Sequence, residues 1–553
     1  MTHSITSADL TNPLYYLKNA HTLIDWVIQV HQDLLTAHEL DQLVQFQSLS
    51  EQAQALLIRM VMRSQSHFLL GHIAHYQEIT EPTEALIEVL QNANLIAINQ
   101  ELTLQECFKL LNKQELLSLH NQVGLQTMSK SSSKQSIFES LNATCADTLR
   151  LHQYLTECGD SIHLLCDPLF ERLKLMFFGN LHQSWSEFVV TELGYFNYEP
   201  VELSHESRAF HRREDLDQYI GLEQLLTDAS AMSLDEKIAA AQAVEPVSSW
   251  LSGRRDRVLY LLARELERED KSLALPVYQT LSIQDAHIRE LRLLEKLERP
   301  KECHERTLLL QQENPTPLTQ LAYQRLLKRS SKKLSIEYEA PTLLSPPQQK
   351  VTLDQLVGVS VERQVAEHLT DQNSQSFYVE NSLINGLFGL LFWDVIYAPI
   401  PGAFFNPFQS RPADLYRRHF KEKRKDLIKE AFAQFDSGEY QQTIRARYET
   451  KRGITNTFMN WSVLTDELID LALACIPATH LKEIFERLLG DIRTHRSGFP
   501  DLIRFEPDSN RYELIEVKGP GDRLQDNQKL WIDFFVRNNI PCSVIWVDWS
   551  QSE

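Results

Sequence analysis

Two short segments near the C-terminus decide the fold: Gly498-Phe499-Pro500-Asp501 and, after fourteen intervening residues, Glu516-Val517-Lys518-Gly519-Pro520-Gly521-Asp522-Arg523. Residues 502–505 and 512–518 are dominated by bulky side chains, and Ser509 and Asn510 between them are typical turn residues, so the pattern predicts two neighbouring strands. Because side chains two positions apart on a strand share a face, Glu516 and Lys518 should point the same way while Val517 faces the opposite side.

Two carboxylates and a lysine in this arrangement are typical of metal-dependent phosphodiester hydrolysis. Asp501 and Glu516 would share a divalent cation, and Lys518 would meet the attacking water or the charge that develops on the phosphate. The absence of histidine and cysteine from this set favours a hard cation, Mg2+ or Mn2+. Pro-Asp and Glu-x-Lys are each common on solvated surfaces, so the prediction depends on their combination.

A helix is predicted after the glycine-rich turn, because Leu524, Gln528, Trp531 and Phe535 recur at helical spacing. This spacing places Gln528 on the stripe that faces the site. Residues 543–547 predict a final strand. The resulting order of strand, turn, strand and helix resembles the core of the PD-(D/E)xK nuclease superfamily.

The residues of these motifs, in their order along the chain, narrow the resemblance to one family within this superfamily. Gly498 to Leu502, Glu516 to Leu524 and then Asn527, Gln528 and Trp531 resemble the VRR-NUC variety of this nuclease fold. Upstream, residues 380–397 and Pro412-Ala413-Asp414-Leu415 resemble the Fanconi-associated nuclease family in its shorter, bacterial form. The resemblance implies a structure-selective DNA nuclease, a 5' flap endonuclease and 5'-to-3' exonuclease of the phosphodiesterase I type, that acts in interstrand crosslink repair.

The same resemblance implies roles for further residues. An acidic residue at the position of Glu380 joins Asp501 and Glu516 as a metal ligand, and Val517 is assigned as a ligand through its backbone carbonyl. From the residues alone, a glutamate before an apolar helix is more often a partner of the helix N-terminus. Both interpretations of Glu380 remain open at this point.

A basic pocket for a terminal 5' phosphate is implied as well. Segments that resemble the family assign Arg254 and Arg493 to this pocket. An arginine suits it because its planar guanidinium group can bind two phosphate oxygens at once. Arg523 and Gln528 are further candidates for DNA contact, and Asn527 stands where some relatives carry a lysine. The alternative for each arginine is a surface ion pair, especially for Arg254 beside Asp256.

Length and composition suit a folded multidomain protein of 553 residues, with 43% hydrophobic and 24% charged residues. We predict a predominantly α-helical chain that ends in an α/β PD-(D/E)xK, restriction-endonuclease-like domain. The predicted domains are a helical domain at 1–100, a SAP-like helix-loop-helix at 101–147, a degenerate tetratricopeptide-like helical region at 148–340 and the VRR-NUC nuclease region at 350–553. The close histidines His67, His72 and His75 lack an acidic or cysteine partner, so we assign them to a helix surface.

The net charge of -20 is unusual for a DNA-binding protein, but its distribution is uneven. Residues 411–452 hold 12 Lys/Arg against 7 Asp/Glu, a balance of +5. A second basic cluster comprises Arg325, Lys328, Arg329, Lys332 and Lys333. Either cluster alone would suit a solvated helix face, whereas their placement beside the nuclease motif favours phosphate contacts with flapped, branched or crosslinked DNA.

Seven scattered cysteines without Cys-x-x-Cys spacing predict reduced thiols in a cytoplasmic protein, nucleoid-associated if bacterial. The apolar run at 387–393 is too short to span a bilayer and predicts a buried core helix, with no membrane partner. Two other functions stay open: a dimeric junction-resolving endonuclease, and a DNA-binding helical scaffold with a vestigial nuclease fold. The intact acids and lysine argue against the scaffold, and the long helical region argues against a minimal resolvase.

Overall fold

A computed structural model of the chain describes residues 12–63, 65–123, 128–145, 148–183, 197–227, 232–339, 341–417 and 419–550. The chain divides into two compact units. The first takes the residues before 197 together with 203–254, and the second takes 197–202 and the residues from 255 onward.

The first unit is mainly helical. Its helices are α1 (Tyr15–His31), α2 (Ala37–Ser48), α3 (Glu51–Val61), α4 (Thr83–Asn92), α5 (Leu104–Leu110), α6 (Lys113–Gln122), α7 (Lys134–Thr144), α8 (Asp167–Phe178), α9 (Arg213–Thr227) and α10 (Leu234–Ala243). Its strands are β1 (His67–Leu69), β2 (Ile96–Ile98), β3 (Leu102–Thr103), β4 (Thr148–Leu149) and β5 (Ser161–Leu164). Strand β5 lies between β1 and β2 in an antiparallel sheet, and β3 pairs with β4.

Helices α6 and α7 form the helix-loop-helix predicted for this part of the chain. Their apolar positions Leu116, Leu119, Ile137 and Leu141 are buried in one core. The predicted turn at Gly124 and Leu125 lies outside the described residues. The SAP-like assignment of this segment, and the domain boundaries given above, remain predictions.

Helix α11 (Ser249–Glu269) begins in the first unit and continues into the second. Four helices follow it: α12 (Lys271–Gln279), α13 (Gln284–Lys296), α14 (Pro300–Gln311) and α15 (Pro317–Leu334). Each of these four helices contacts the next along the chain. Proline occupies the first position of α14 and of α15, where its missing N–H costs nothing.

The C-terminal part of the second unit is built on a mixed sheet. Its strands are β6 (Gln348–Leu353), β7 (Gln375–Tyr378), β8 (Leu502–Glu506), β9 (Arg511–Lys518) and β10 (Cys542–Trp549), in the order β6-β10-β9-β8-β7. Strand β10 pairs in parallel with β6 and β9, and the other pairs are antiparallel. The fold class predicted from the sequence, a mainly helical chain with a C-terminal α/β nuclease fold, is confirmed.

The same part of the unit contains further helices. They are α16 (Val361–Leu369), α17 (Leu383–Leu391), α18 (Trp393–Ile396), α19 (His419–Lys423), α20 (Lys425–Ser437), α21 (Glu439–Thr450), α22 (Asp466–Cys475), α23 (Ala478–Gly490), α24 (Ile492–His495) and α25 (Asp526–Arg537). Val365 and Ala366 of α16 pack on Ile515 and Val517 of β9.

Every residue of α17 is buried, so the apolar run forms a core helix as predicted. Within the described ranges, no helix combines the length and apolarity needed to cross a bilayer. All seven cysteines carry free thiols.

Gly498 allows α25 to pack closely against the turn before β8. Its φ is +90°, and a Cβ there would lie 2.6 Å from Cβ of Asn527 and 3.1 Å from the backbone nitrogen of Gln528. Only glycine meets both demands at low cost. The first turn of α25 therefore lies directly against the segment that carries Asp501.

Candidate active site

Strand β9 presents the acid and the lysine on one face, as its period of two requires. Glu516 is fully buried and Lys518 is 8% exposed. Nζ of Lys518 lies 2.6 Å from Oε1 of Glu516. Val517 points the opposite way, into the core beneath α16. The predicted geometry of Glu516, Val517 and Lys518 is confirmed.

Asp501 lies immediately before β8, the strand that pairs with β9. The backbone N–H of Val517 donates to its Oδ2 at 2.9 Å. Leu502 pairs with Ile515 across the two strands, and this register brings Asp501 beside Glu516. The two candidate metal ligands thus meet through sheet pairing, although fourteen residues separate them.

Burial dominates the electrostatics of this pair. It raises the pKa of Asp501 to about 6, against the opposing effects of the Val517 N–H and of Lys518. It raises the pKa of Glu516 to about 8, and the negative charge of Asp501 adds to the rise. Two buried carboxylates that resist ionisation are typical of a site that a cation completes.

The hydrogen bonds of Glu516 leave one oxygen available. Nε2 of Gln528 donates to Oε1 at 2.6 Å, the same oxygen that Lys518 contacts. Oε2 is buried and accepts no hydrogen bond from the residues that the structure describes. An oxygen without a donor, beside a second carboxylate, fits the oxygen preference of a hard divalent cation.

A backbone hydrogen bond joins Glu380 to Asp501. The Glu380 N–H donates to the carbonyl of Asp501 at 2.9 Å. Its carboxylate accepts from the hydroxyl of Tyr378 at 2.8 Å and from Nδ2 of Asn381 at 3.0 Å, and not from the N-terminus of α17. The helix-capping alternative for Glu380 is therefore not what the structure contains.

Across the described ranges, no three His, Cys, Asp or Glu side chains are grouped closely enough to hold a metal together. The buried pair Asp501 and Glu516 is thus the assembled part of the predicted ligand set. Glu380 is exposed, and its negative charge contributes to the raised pKa of Asp501.

Sequence reasoning missed Glu362, in the first turn of α16. Its negative charge contributes to the raised pKa of Asp501, as does that of Glu380. Val361 beside it lies 3.9 Å from the position of a Cβ on Gly519, directly after Lys518. The available signal was Ser360, a typical N-cap, which predicts the helix start that carries Glu362.

Arg493 lies on α24 in the same unit as the paired acids, and it belongs to an arginine cluster around Tyr416. The guanidinium carbons of Arg411, Arg493 and Arg496 lie 4.7, 5.8 and 5.5 Å from the centre of the Tyr416 ring. Arg496 also donates to the Tyr416 hydroxyl at 2.8 Å. Burial and then the charge of Arg493 lower the pKa of Arg417.

Within the described residues, none of Arg411, Arg417, Arg493 and Arg496 forms an ion pair with an acid, so the arginine cluster has an excess of positive charge. Guanidinium groups held together without counter-charges favour an anion such as phosphate.

The other predicted DNA contacts have different surroundings. Arg254 belongs to the first unit, where it forms an ion pair with Glu223 and lies over the ring of Tyr219. An ion pair of Arg254, the alternative considered from the sequence, is therefore present with Glu223 as a partner, and the DNA-binding role of Arg254 stays a prediction. Arg523 is exposed in the turn after β9. Gln528 contacts Glu516, as described above.

The two basic clusters are partly neutralised. Arg424 is buried and pairs with Asp414 through two hydrogen bonds of 2.8 and 3.0 Å. Arg325 pairs with Asp526 and Arg329 with Glu295. Arg418 lies outside the described residues. Exposed lysines available for phosphate contacts include Lys421, Lys425, Lys429, Lys328, Lys332 and Lys333, and Lys423 is exposed with its Nζ donating to the carbonyl of Pro401 at 3.4 Å.

Two parts of the chain match known protein families. Residues 436–549 match the VRR-NUC domain, and residues 14–97 match the FAN1, HTH domain. The mixed sheet, the paired acids and the VRR-NUC match define a nuclease of the PD-(D/E)xK class, whose chemistry depends on a divalent metal.

The full chain has close relatives. It is 38% identical to the Fanconi-associated nuclease 1 homolog of Pseudomonas aeruginosa, over 99% of this chain and 98% of that protein. The homolog from Arabidopsis thaliana is 26% identical, over 94% of this chain and 65% of that protein. A crystal structure of paFAN1 bound to 2nt 5'flap DNA with gap is 38% identical, with a TM-score of 0.82, and covers 99% of this chain and 100% of that chain. The chain belongs to the Fanconi-associated nuclease family.

Proposed function

We propose that this nuclease cuts DNA at 5' flaps, and removes nucleotides in the 5'-to-3' direction, with Asp501, Glu516 and Lys518 as its catalytic residues. The observation that carries the proposal is the buried pair Asp501 and Glu516, with Lys518 at 2.6 Å from Glu516 on the same strand face. Glu380 and the backbone carbonyl of Val517 complete the proposed metal ligands, and Mg2+ or Mn2+ is the proposed ion.

Each side chain has a distinct task in the proposed hydrolysis. Asp501 and Glu516 would hold the cation, and Oε2 of Glu516 is buried without a hydrogen-bond partner among the described residues. A divalent cation held there would neutralise phosphate charge and lower the pKa of a coordinated water. Lys518 holds its ammonium group beside Glu516, where it orients the attacking water or stabilises the negative charge that grows on the phosphate. Gln528 donates to Oε1 of Glu516 and so helps to fix this carboxylate, whose Oε2 would be available to a cation.

The proposed substrate follows from charge and from the relatives. A crystal structure of paFAN1, similar over nearly the whole chain, contains a 5' flap DNA. The arginine cluster of Arg411, Arg417, Arg493 and Arg496 offers a site for a terminal 5' phosphate on the cut strand. Arg254, Arg523 and Gln528 stay predicted DNA contacts. Action in interstrand crosslink repair, and a cytoplasmic, nucleoid-associated location, are proposed from the family resemblance.

The decisive experiment incubates the purified protein with labelled 5' flap, 3' flap, four-way and single-stranded DNA, with Mg2+, with Mn2+ and with EDTA. We expect metal-dependent cutting that favours the 5' flap. Asp501→Asn, Glu516→Gln and Lys518→Met should each lower the cleavage rate by about a hundredfold or more while DNA binding is retained. Glu513→Gln, on the same strand but outside the site, is the matched control.

The 5' end is tested with short flaps that carry either a 5' phosphate or a 5' hydroxyl. We expect the wild type to prefer the phosphate, and Arg493→Ala and Arg417→Ala to lose that preference while still cutting. Lys429→Ala removes an exposed charge from α20 and should keep the preference. Equal cutting of both ends by the wild type would exclude the phosphate site.

The same panel separates the alternatives. A junction-resolving endonuclease would cut four-way DNA symmetrically and in preference to flaps. A scaffold with a vestigial nuclease fold would bind DNA without cutting it in any metal. The assembled acids and lysine favour hydrolysis over the scaffold.

A further inference from the structure

Glu380 has an unusual backbone for its residue type. Its φ is +37°, in the left-handed region that side chains other than glycine, asparagine and aspartate seldom adopt. Such a conformation persists only where surrounding contacts hold it. Two contacts of this kind are present: the N–H groups of Val379 and Glu380 both donate to the carbonyl of Asp501 at 2.9 Å.

The side chain of Glu380 also has hydrogen-bond donors from its neighbours in the chain. Tyr378 donates its hydroxyl to Oε2 at 2.8 Å, and Asn381 donates Nδ2 to Oε1 at 3.0 Å. Each oxygen of the carboxylate thus has one protein donor.

Asn381 extends this network to the segment that precedes Asp501. Its side-chain oxygen accepts from the backbone N–H of Phe499 at 3.2 Å, and its carbonyl accepts from Nδ2 of Asn385 at 2.6 Å. Asn385 in turn donates to the carbonyl of Arg496 at 2.8 Å. The position of the Glu380 carboxylate is thereby tied to the segment that delivers Asp501.

We propose that Tyr378 and Asn381 are positioning residues that fix the Glu380 carboxylate at the edge of the metal site, so that it serves as a ligand without first being ordered. Glu380 is exposed, and without these two donors its side chain would sample many rotamers. Ligating carboxylates are commonly held by such donors, and the loss of one typically lowers metal affinity by about 10- to 100-fold. This inference rests on the proposed ligand role of Glu380.

The test measures Mn2+ binding to the DNA-free protein by electron paramagnetic resonance, together with the metal concentration for half-maximal cleavage of a 5' flap. Tyr378→Phe retains the ring and loses the donor, and Asn381→Ala loses the other donor. We expect each to raise the Mn2+ dissociation constant about tenfold. Cleavage at saturating Mn2+ should stay within a few-fold of wild type. The control is Tyr512→Phe. Tyr512 lies on the same sheet as Tyr378, and its hydroxyl is hydrogen-bonded to His480 at 2.8 Å.

A double-mutant cycle shows whether Tyr378 acts through Glu380. In the Glu380→Gln background, Tyr378→Phe should add little further loss of Mn2+ affinity, because the carboxylate that it positions is gone. If Glu380→Gln weakens Mn2+ binding but Tyr378→Phe and Asn381→Ala do not, the positioning inference is wrong while the ligand role stands. If Glu380→Gln binds Mn2+ as wild type does, the ligand role falls and the inference falls with it.

Two further outcomes also decide the matter. Tighter Mn2+ binding by Tyr378→Phe would mean that the hydroxyl holds Glu380 away from the site, which contradicts the proposal. A lower melting temperature with an unchanged dissociation constant would assign the two residues to stability alone.

Discussion

The backbone N–H of Val517 donates to Oδ2 of Asp501 at 2.9 Å, and this single hydrogen bond links the two halves of the site. Val517, which lies between Glu516 and Lys518 on β9, thereby orients the carboxylate of Asp501 just before β8. One oxygen of Asp501 is engaged by the sheet, and its position is set by backbone geometry. Pairing of β8 with β9 therefore assembles the proposed metal ligands as a direct product of folding.

Gln528→Ala should weaken metal binding and leave DNA binding unchanged, because the amide donates to Glu516 at 2.6 Å. We expect an about tenfold rise in the Mn2+ concentration for half-maximal cleavage. The KM for a 5' flap should change little. Lys529→Ala, one residue away and exposed, is the control. A raised KM with unchanged metal dependence would instead support the direct DNA contact predicted for Gln528.

The metal-free protein should lose stability as pH rises from about 6 to about 8, because the pKa values of Asp501 and Glu516 are raised in the folded state. A carboxyl whose folded-state pKa is raised favours folding while it is protonated, and this contribution disappears as pH passes through the folded-state pKa. The measurement is the melting temperature in EDTA at pH 6 and at pH 8.5.

Glu516→Gln should show a smaller fall over the same range, since it cannot ionise. Glu513→Gln, on the same strand, should behave like wild type. An equal fall in wild type and Glu516→Gln would show that this carboxyl is already ionised at pH 6.

Gly498→Ala should reduce both stability and cleavage. The left-handed backbone costs about 1 to 2 kcal/mol for alanine. A Cβ only 2.6 Å from Cβ of Asn527 adds an overpacking cost of about 1 to 3 kcal/mol and displaces the start of α25. Gly453→Ala has a similar φ of +83° and no atom within 4 Å of the added Cβ, so it isolates the backbone cost. Equal unfolding free energies for the two variants would contradict the close contact.

Arg424→Met should destabilise the protein by about 3 kcal/mol or more, because it leaves Asp414 buried without its partner. The double variant Arg424→Met with Asp414→Leu should recover part of that loss. Urea unfolding measures both. The affinity of folded Arg424→Met for DNA should match wild type, whereas Lys421→Ala and Lys425→Ala should weaken binding and reduce its salt dependence. Weakened DNA binding by Arg424→Met alone would place this arginine at the interface.

Much of the nuclease fold was predictable because its signals are local. The alternation in Tyr512 to Lys518 predicts the strand and the shared face of Glu516 and Lys518, and Asn510 predicts the turn, where its φ is +50°. Helical spacing predicts α25, which begins two residues after Leu524. These features depend on backbone period and turn chemistry, which a single segment carries by itself.

The surroundings of the charged residues were not predictable in the same way. Arg424 and Lys425 illustrate this: they are neighbours in the basic run at 417–425, yet Arg424 is buried against Asp414 while Lys425 is exposed. The spacing of these residues along the chain does not identify an ion-pair partner for Arg424 or for Lys425. Arg254 likewise pairs with Glu223, which is distant in sequence.

The sequence by itself determined the class of protein, the placement of Glu516 and Lys518 on one strand, and the placement of Asp501 directly before the neighbouring strand. Only the tertiary structure decided that Gln528 and Lys518 share one oxygen of Glu516, that Tyr378 and Asn381 hold Glu380, and that Glu362 lies near Asp501. Glu362 and Asp501 lie far apart in the chain, whereas Tyr378 and Asn381 are close neighbours of Glu380, and the spacing of these residues alone does not specify their contacts. They depend on strand register and on burial, and burial raises the pKa of a carboxyl only once the surrounding elements have excluded water.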